Sequence, residues 1–158
     1  MHMLATSGDW PQFLSGDPIR ITGELITCRD GVLNKIFIHK SEQAKALFAG
    51  KIIYFCGPTP APPGRVIGSC GPTTSSRMEP YFEQLCQAGV RALIGKGQIS
   101  ADAAQILAKY KVPYFVGIGG AGALLATKVR AAEVIAYPEL GTEAVYRLEV
   151  EDFPAVVG

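Results

Sequence analysis

The sequence predicts an α/β fold, a layered domain on a largely parallel sheet. Three observations carry that expectation. Short apolar runs alternate along the chain with segments of helical spacing. Runs such as Lys51 to Cys56 (KIIYFC) are continuous rather than alternating, as strands buried on both faces are. Met78, Tyr81, Phe82, Leu85 and Cys86 recur so as to put one apolar stripe on a helix.

Ile19, Ile21, Leu25 and Ile26 predict a first strand reaching Thr27, and Asp30 is placed to start a helix running to about Lys40. Ser41 to Phe48 also reads as helical. Lys51 to Cys56 and Arg65 to Ser69 read as short strands bracketing a Pro-rich turn, and the Met78–Cys86 stripe belongs to a helix starting near Ser76. A strand at Ala92 to Ile94 precedes a helix from a Ser100 cap to Tyr110, then come a strand at Pro113 to Val116 and a helix at Gly119 to Lys128. Strands at Glu133 to Tyr137 and Tyr146 to Val150 complete the series. The chain shows no internal repeat, low-complexity tract or linker. Residues 1–15 read as an N-terminal extension, with Met1-His2-Met3 partly vector-derived, and residues 16–158 as a single domain.

The balance of charge excludes some classes of function. A net charge of +1, with Lys and Arg scattered, leaves no basic stripe for nucleic acid. No apolar stretch reaches the ~20 residues of a membrane span, and no signal peptide is visible, so a cytoplasmic enzyme or enzyme part is expected. Cys28, Cys56, Cys70 and Cys86 lie 28, 14 and 16 positions apart, without the close pairs of metal sites. No metal site is expected on this chain. Cys56 and Cys86 read as small buried hydrophobes; Cys28 and Cys70 each stand beside a candidate loop.

The segment Phe55 to Arg77 (FCGPTPAPPGRVIGSCGPTTSSR) carries Gly-Pro-Thr twice. Pro58, Pro60, Pro62, Pro63 and Pro72 fix φ and remove amide donors, so such a stretch is costly unless its shape is used. It ends in Thr73-Thr74-Ser75-Ser76-Arg77, hydroxyls and a cation leading into a helix start, which reads as an anion-binding loop. Ligands of a parallel sheet collect beyond the carboxyl ends of its strands. Three loops there carry a cation: Arg29 in TCRD, Arg77, and Lys96 between Gly95 and Gly97. Two guanidiniums and an ammonium suit a small dianion. Each cation alone reads equally as a solvated surface charge, and Arg29-Asp30 as a local ion pair.

Gly117-Ile118-Gly119-Gly120-Ala121-Gly122 meets the dinucleotide fingerprint but comes late in a short chain, and reads instead as a tight strand-to-helix turn. His2 and His39 support no catalytic triad.

In their order, GDPIRITGELITCRD, YFCGPTPAPPGRVIGSCGPTTSSRM, LIGKG, VGIGGAGALLA and AYPELGTEAVYRLEVEDFPA resemble the β subunit, or C-terminal region, of iron–sulfur-dependent hydro-lyases, the class I fumarase and L-tartrate dehydratase family. The resemblance runs from about Gly16 to Val156. It implies a swivelling β/α/β domain, similar to the mobile domain of aconitase. It implies reversible hydration and dehydration of a 2-hydroxy dicarboxylate, with a [4Fe–4S] cluster held by cysteines of a partner α subunit, whose open iron acts as Lewis acid on the substrate hydroxyl. Matched position by position, Arg29, Arg77, Lys96 and Thr74 resemble substrate-binding residues, and Thr73 the proposed base. A homo-oligomer or α2β2 assembly is implied, without nucleic acid or membrane.

Three positions depart from the family's usual TGRDAAHKR: Cys28 stands for Gly, Leu33 for His and Asn34 for Lys. The departures keep open a divergent substrate and a noncatalytic anion-binding or assembly module derived from the same scaffold.

Overall fold

Eleven residues of β2 (Pro18–Cys28) and thirteen of β7 (Val145–Val157) run antiparallel along most of their length, and this long pair organises the domain. The structure, a computed structural model, describes residues 1–39, 41–118 and 122–158. Parallel to β2 on its other edge lie β1 (His2–Ala5) and β3 (Ile52–Phe55), followed by β4 (Ala92–Gly95) and β5 (Tyr114–Gly117), each parallel to the one before. The far end of β7 pairs with β5, while β6 (Val129–Ala136) pairs with the start of β7. Because β7 meets both β2 and β5, the strands β2-β3-β4-β5-β7 close into a ring. The mixed α/β fold with mostly parallel pairings agrees with the expectation; closure comes from the one antiparallel strand.

Alternation along each strand sorts the side chains into two cores. Leu25, Ile52, Tyr54, Ile94, Phe115, Leu148, Val150 and Phe153 fill the ring. Ile26, Cys28, Ile53, Phe55 and Leu93 face outward beneath α1 (Asp30–His39), α2 (Ser41–Phe48), α3 (Phe82–Gln87) and α4 (Ala101–Lys109). Phe55 stacks on Phe82 with ring centroids 5.9 Å apart, both fully buried. With only six residues, α3 is too short to stand by propensity, and burying Phe82 and Leu85 at about 1.5–3 kcal/mol each holds it. Gly23 marks a register shift in β2; its φ is +130°, and a Cβ there would collide with the Thr6 side chain.

Several local expectations are corrected. Arg65 to Ser69 forms no strand. The prolines before it leave few donors, and the segment folds on itself through Thr59 N–H to Ser69 O (2.9 Å) and Gly68 N–H to Thr59 O (3.1 Å). The helix expected near Ser76 begins at Phe82, preceded by two single helical turns, Ser75–Arg77 and Glu79–Tyr81, which meet at Met78, with Pro80 inside the second. The strand expected at 146–150 runs to Val157, through Pro154. β6 starts earlier than expected, at Val129. Of the helix expected at 119–128, α5 spans Gly122–Ala126, while residues 119–121 lie outside the described residues, as does Lys40. Ser100 does cap α4, its hydroxyl accepting the Ala103 N–H at 3.1 Å.

Residues 2–5 pair with Ile19 to Thr22, and Leu4 enters the ring core. Leu33, on α1, is fully buried, so the change from the family's His falls at a packing position; Asn34 is exposed and donates to the Tyr81 hydroxyl at 3.3 Å.

Candidate functional site

The carboxyl ends of β2, β3, β4 and β5 lie side by side, and the segment leaving the Pro-rich loop is stitched across two of them. Thr73 N–H donates to Phe55 O at the end of β3 (2.7 Å), Lys96 N–H beyond β4 donates to Thr73 O (3.2 Å), and Ser75 N–H returns to Lys96 O (3.0 Å). Thr74 and Lys96 thereby form a parallel bridge. Gly95 is a requirement of this contact: a Cβ there would run into the Ser75 side chain. The loop carrying Thr73 and Thr74 and the loop carrying Lys96 are one structure.

Arg29 continues β2 beside them, since Cys28 pairs with Phe55. Its side chain lies across Gly57, where a Cβ would sit 2.8 Å from Arg29 Cδ and 3.0 Å from Thr142 O. Arg29 is half-buried, and its Nε is fully buried with no hydrogen-bond partner among the described residues. Leaving such a donor unmade costs about 1–3 kcal/mol. Arg77 reaches back to Asp30, Nη2 to Oδ2 3.8 Å, at the start of α1; both partners are exposed enough for this to be a weak contact. Lys96 and Thr74 are exposed and Thr73 half-buried; among the described residues neither the Lys96 ammonium nor the Thr73 hydroxyl has a hydrogen-bond or ion-pair partner.

All five predicted site residues, Arg29, Thr73, Thr74, Arg77 and Lys96, thus stand on adjoining loops at one end of the sheet. The arrangement offers two guanidiniums, an ammonium and two hydroxyls to a small anion, with no carboxylate except Asp30 contacting the cations among the described residues.

Sequence reading missed the supports. Ser75 is fully buried, its hydroxyl 2.8 Å from the Tyr114 hydroxyl, which donates to Gly97 O at 2.7 Å. The turn Pro138–Glu143 lies against the start of α1, with Glu143 accepting the Gly31 N–H at 3.3 Å. Glycines in GPTP and LIGKG were the available signals for the close approaches at Gly57 and Gly95; nothing in PYFV singles out Tyr114. The glycine-rich fingerprint has a packing explanation at its described ends: a Cβ on Gly117 would press on Pro72 at 3.1–3.2 Å, and one on Gly122 would lie 2.9 Å from Gly71 N. Its centre, 119–121, lies outside the described residues.

The cysteines do not fit a cluster or metal. All are buried thiols, and among the described residues no three His, Cys, Asp or Glu side chains group to hold an ion. Burial pushes Cys70 and Cys86 up to about 11 and Cys28 higher still. Burial and the Cys70 thiol raise Cys56 well up, while the Arg29 guanidinium pulls it down. A cleft of about 1050 Å³ opens apart from the cations, between Trp10, Phe13 and α4, touching the site only at Gly97 and Tyr114. No helix is long and apolar enough to cross a membrane among the described residues.

Comparison with known proteins gives this geometry a lineage. The family described as Fumarase C-terminus matches residues 4–158. The aerobic class I fumarate hydratase of Escherichia coli K12 is 42% identical over 107 residues, 66% of this chain and 20% of that protein; the anaerobic enzyme is 36% identical over 143 residues, 88% of this chain and 26% of that one. The β subunit of the L(+)-tartrate dehydratase of the same organism is 32% identical over 146 residues, 90% of this chain and 72% of that subunit. The chain therefore spans about a fifth to a quarter of those fumarate hydratases but most of the tartrate dehydratase subunit. A chain matched by the family over nearly its whole length, and by that β subunit over most of both, belongs to the Fumarase C-terminus family of hydro-lyase domains.

Proposed function

We propose that this chain is the β component of a two-subunit hydro-lyase that hydrates and dehydrates a 2-hydroxy dicarboxylate, of the fumarate/malate or tartrate type. The observation that carries the reading is the cationic end of the sheet, where, among the described residues, Arg29 keeps a buried Nε without a partner and Lys96 has no acid beside it. A substrate with two carboxylates supplies the missing acceptors. In this reading Arg29 and Arg77 grip carboxylate oxygens as bidentate forks, and Lys96 adds a point charge. Thr74 donates a hydroxyl hydrogen bond. Ionised Thr73 Oγ takes the proton from the carbon next to one carboxylate as the carbon–oxygen bond on the neighbouring carbon breaks, and the departing hydroxide with the proton then held on Thr73 makes the water released. A threonine oxygen is a weak base, so the surrounding cations must lower the cost of its ionised form.

The [4Fe–4S] cluster belongs to the α subunit in this proposal, and the lack of any group of three ligating side chains among the described residues of this chain accords with that. The site faces outward, and the α subunit closes it. The chain, with residues 2–5 paired into its sheet, then acts as one swivelling domain, similar to the mobile domain of aconitase, in a soluble cytoplasmic assembly that is a homo-oligomer or α2β2.

The test is anaerobic co-expression with a cluster-bearing α subunit, followed by absorbance assay of fumarate formation from malate beside turnover of tartrate. Turnover of either supports the reading. A cluster-loaded complex inert to a panel of 2-hydroxy dicarboxylates, or failure to form a complex, would sink it and favour a noncatalytic anion-binding module.

A further inference from the structure

We infer that Tyr114 is a positioning residue: its hydroxyl, through Ser75 and Gly97, sets the loop bearing Thr73 against the loop bearing Lys96. The inference rests on the proposed hydro-lyase reading for its catalytic consequence, but its geometry is independent of it.

The phenol has one proton, and the contact to Gly97 O at 2.7 Å uses it. At 2.8 Å the Ser75 hydroxyl must therefore donate to Tyr114 Oη, which leaves the direction of the chain without alternatives: Ser75 to Tyr114 to Gly97. Ser75 is fully buried and Tyr114 nearly so, so neither hydroxyl has water as a ready substitute. Burial and Glu79 raise the phenol's pKa despite the Ser75 hydrogen bond, which keeps its proton available as donor at neutral pH.

The chain of bonds has an unusual placing. Ser75 and Gly97 each lie one or two residues from a candidate site residue, and Ser75 N–H to Lys96 O and Lys96 N–H to Thr73 O already join the same loops. Those backbone bonds alone form a two-bond ladder at the end of two strands. The side-chain bridge adds a third tie anchored on β5, a different strand, so the ladder cannot slide or splay without breaking a buried contact. Tyr114 touches neither Arg29 nor Arg77. Its loss should disturb the position of Thr73 and Lys96 while leaving the two guanidinium grips in place.

The experiment uses Tyr114→Phe, which removes only the oxygen, together with Ser75→Ala and the double variant. In the full chain, amide hydrogen exchange at Ser75 and Lys96 is expected to speed up at least about tenfold in each single variant, with β2–β7 amides unchanged. In the reconstituted complex, kcat is expected to fall about tenfold with KM within about twofold, and the double variant to lose no more than either single one. Val150→Ala, a ring-core change away from the site, supplies a destabilised control whose kcat should hold. Exchange at wild-type rates in Tyr114→Phe overturns the inference, as does accelerated exchange with unchanged kcat, or a control that loses kcat in step with its stability. A wild-type complex without activity would count against the hydro-lyase reading alone, and the exchange rates would then decide the positioning role of Tyr114.

Discussion

Two groups of basic side chains in this domain obey opposite rules. On β7, Arg147 lies 3.4 Å from Glu24, 2.9 Å from Glu133 and 3.9 Å from Glu149, and Lys51 lies 2.5 Å from Glu24, so every cation has an acid and every strand involved is tied to another. At the carboxyl ends of the parallel strands, Arg29 and Lys96 have no acid among the described residues, and Arg77 has only Asp30 at 3.8 Å. The first group is neutralised within the chain and serves the fold. The second leaves donors unsatisfied among the described residues, one of them buried, and in the proposed reading an anion supplies the missing acceptors.

The sharpest way to break this contrast is Arg29→Gln. Assayed in the complex, it should lower kcat/KM about a hundredfold, roughly 2.7 kcal/mol, while the melting temperature of the chain holds or rises, because a buried donor without a partner has been removed. A large loss of stability instead would move Arg29 to the structural group. Next in size, Arg77→Lys should lower kcat/KM about tenfold, since a point charge cannot replace the fork; unchanged kinetics would take Arg77 out of the site. In the paired group, Glu24→Gln should cost about 1 kcal/mol in urea denaturation and leave kcat untouched. Burial works to raise Glu24, but Lys51 and Arg147 outweigh it and hold its pKa below its ordinary value of 4.5. That stability is complete above pH 4.5 and is lost as the pH falls through the lower folded value, so the variant should flatten the acid limb of a stability–pH curve. The smallest effect belongs to Arg130→Ala, whose exposed pair with Glu151 at 3.1 Å should change stability by less than about 0.5 kcal/mol.

What the sequence disclosed and what it hid follow a physical division. Strands and loop cations were legible because apolar runs and loop charges are local signals: β3, β4 and β5 lie within a residue or so of where the pattern put them, and Arg29, Arg77 and Lys96 lie in loops beyond strands. Ring closure was not legible, because β7 looks like a short strand that ends in acids and a proline, and only pairing with β2 and β5 reveals its length. The strand expected at Arg65 to Ser69 failed for the complementary reason, that prolines upstream deny it a ladder partner. Tyr114 was invisible as a site support, and Ser75, read as one hydroxyl of the anion-binding loop, turns out buried against it, because only the fold brings two residues 39 positions apart together.

The closure of the ring by β7 also sets a schedule for making the protein. Thr27 and Tyr146, hydrogen-bonded neighbours in the finished domain, are 119 positions apart, and the strand that joins both sides of the ring is synthesised after all the others. A nascent chain that has not reached Val145 holds β2 and β5 with their shared neighbour missing and the apolar interior open along one side. Such long-range pairing makes folding slow and the intermediate adhesive. Closure of this domain must therefore await β7, the last of its strands to be made.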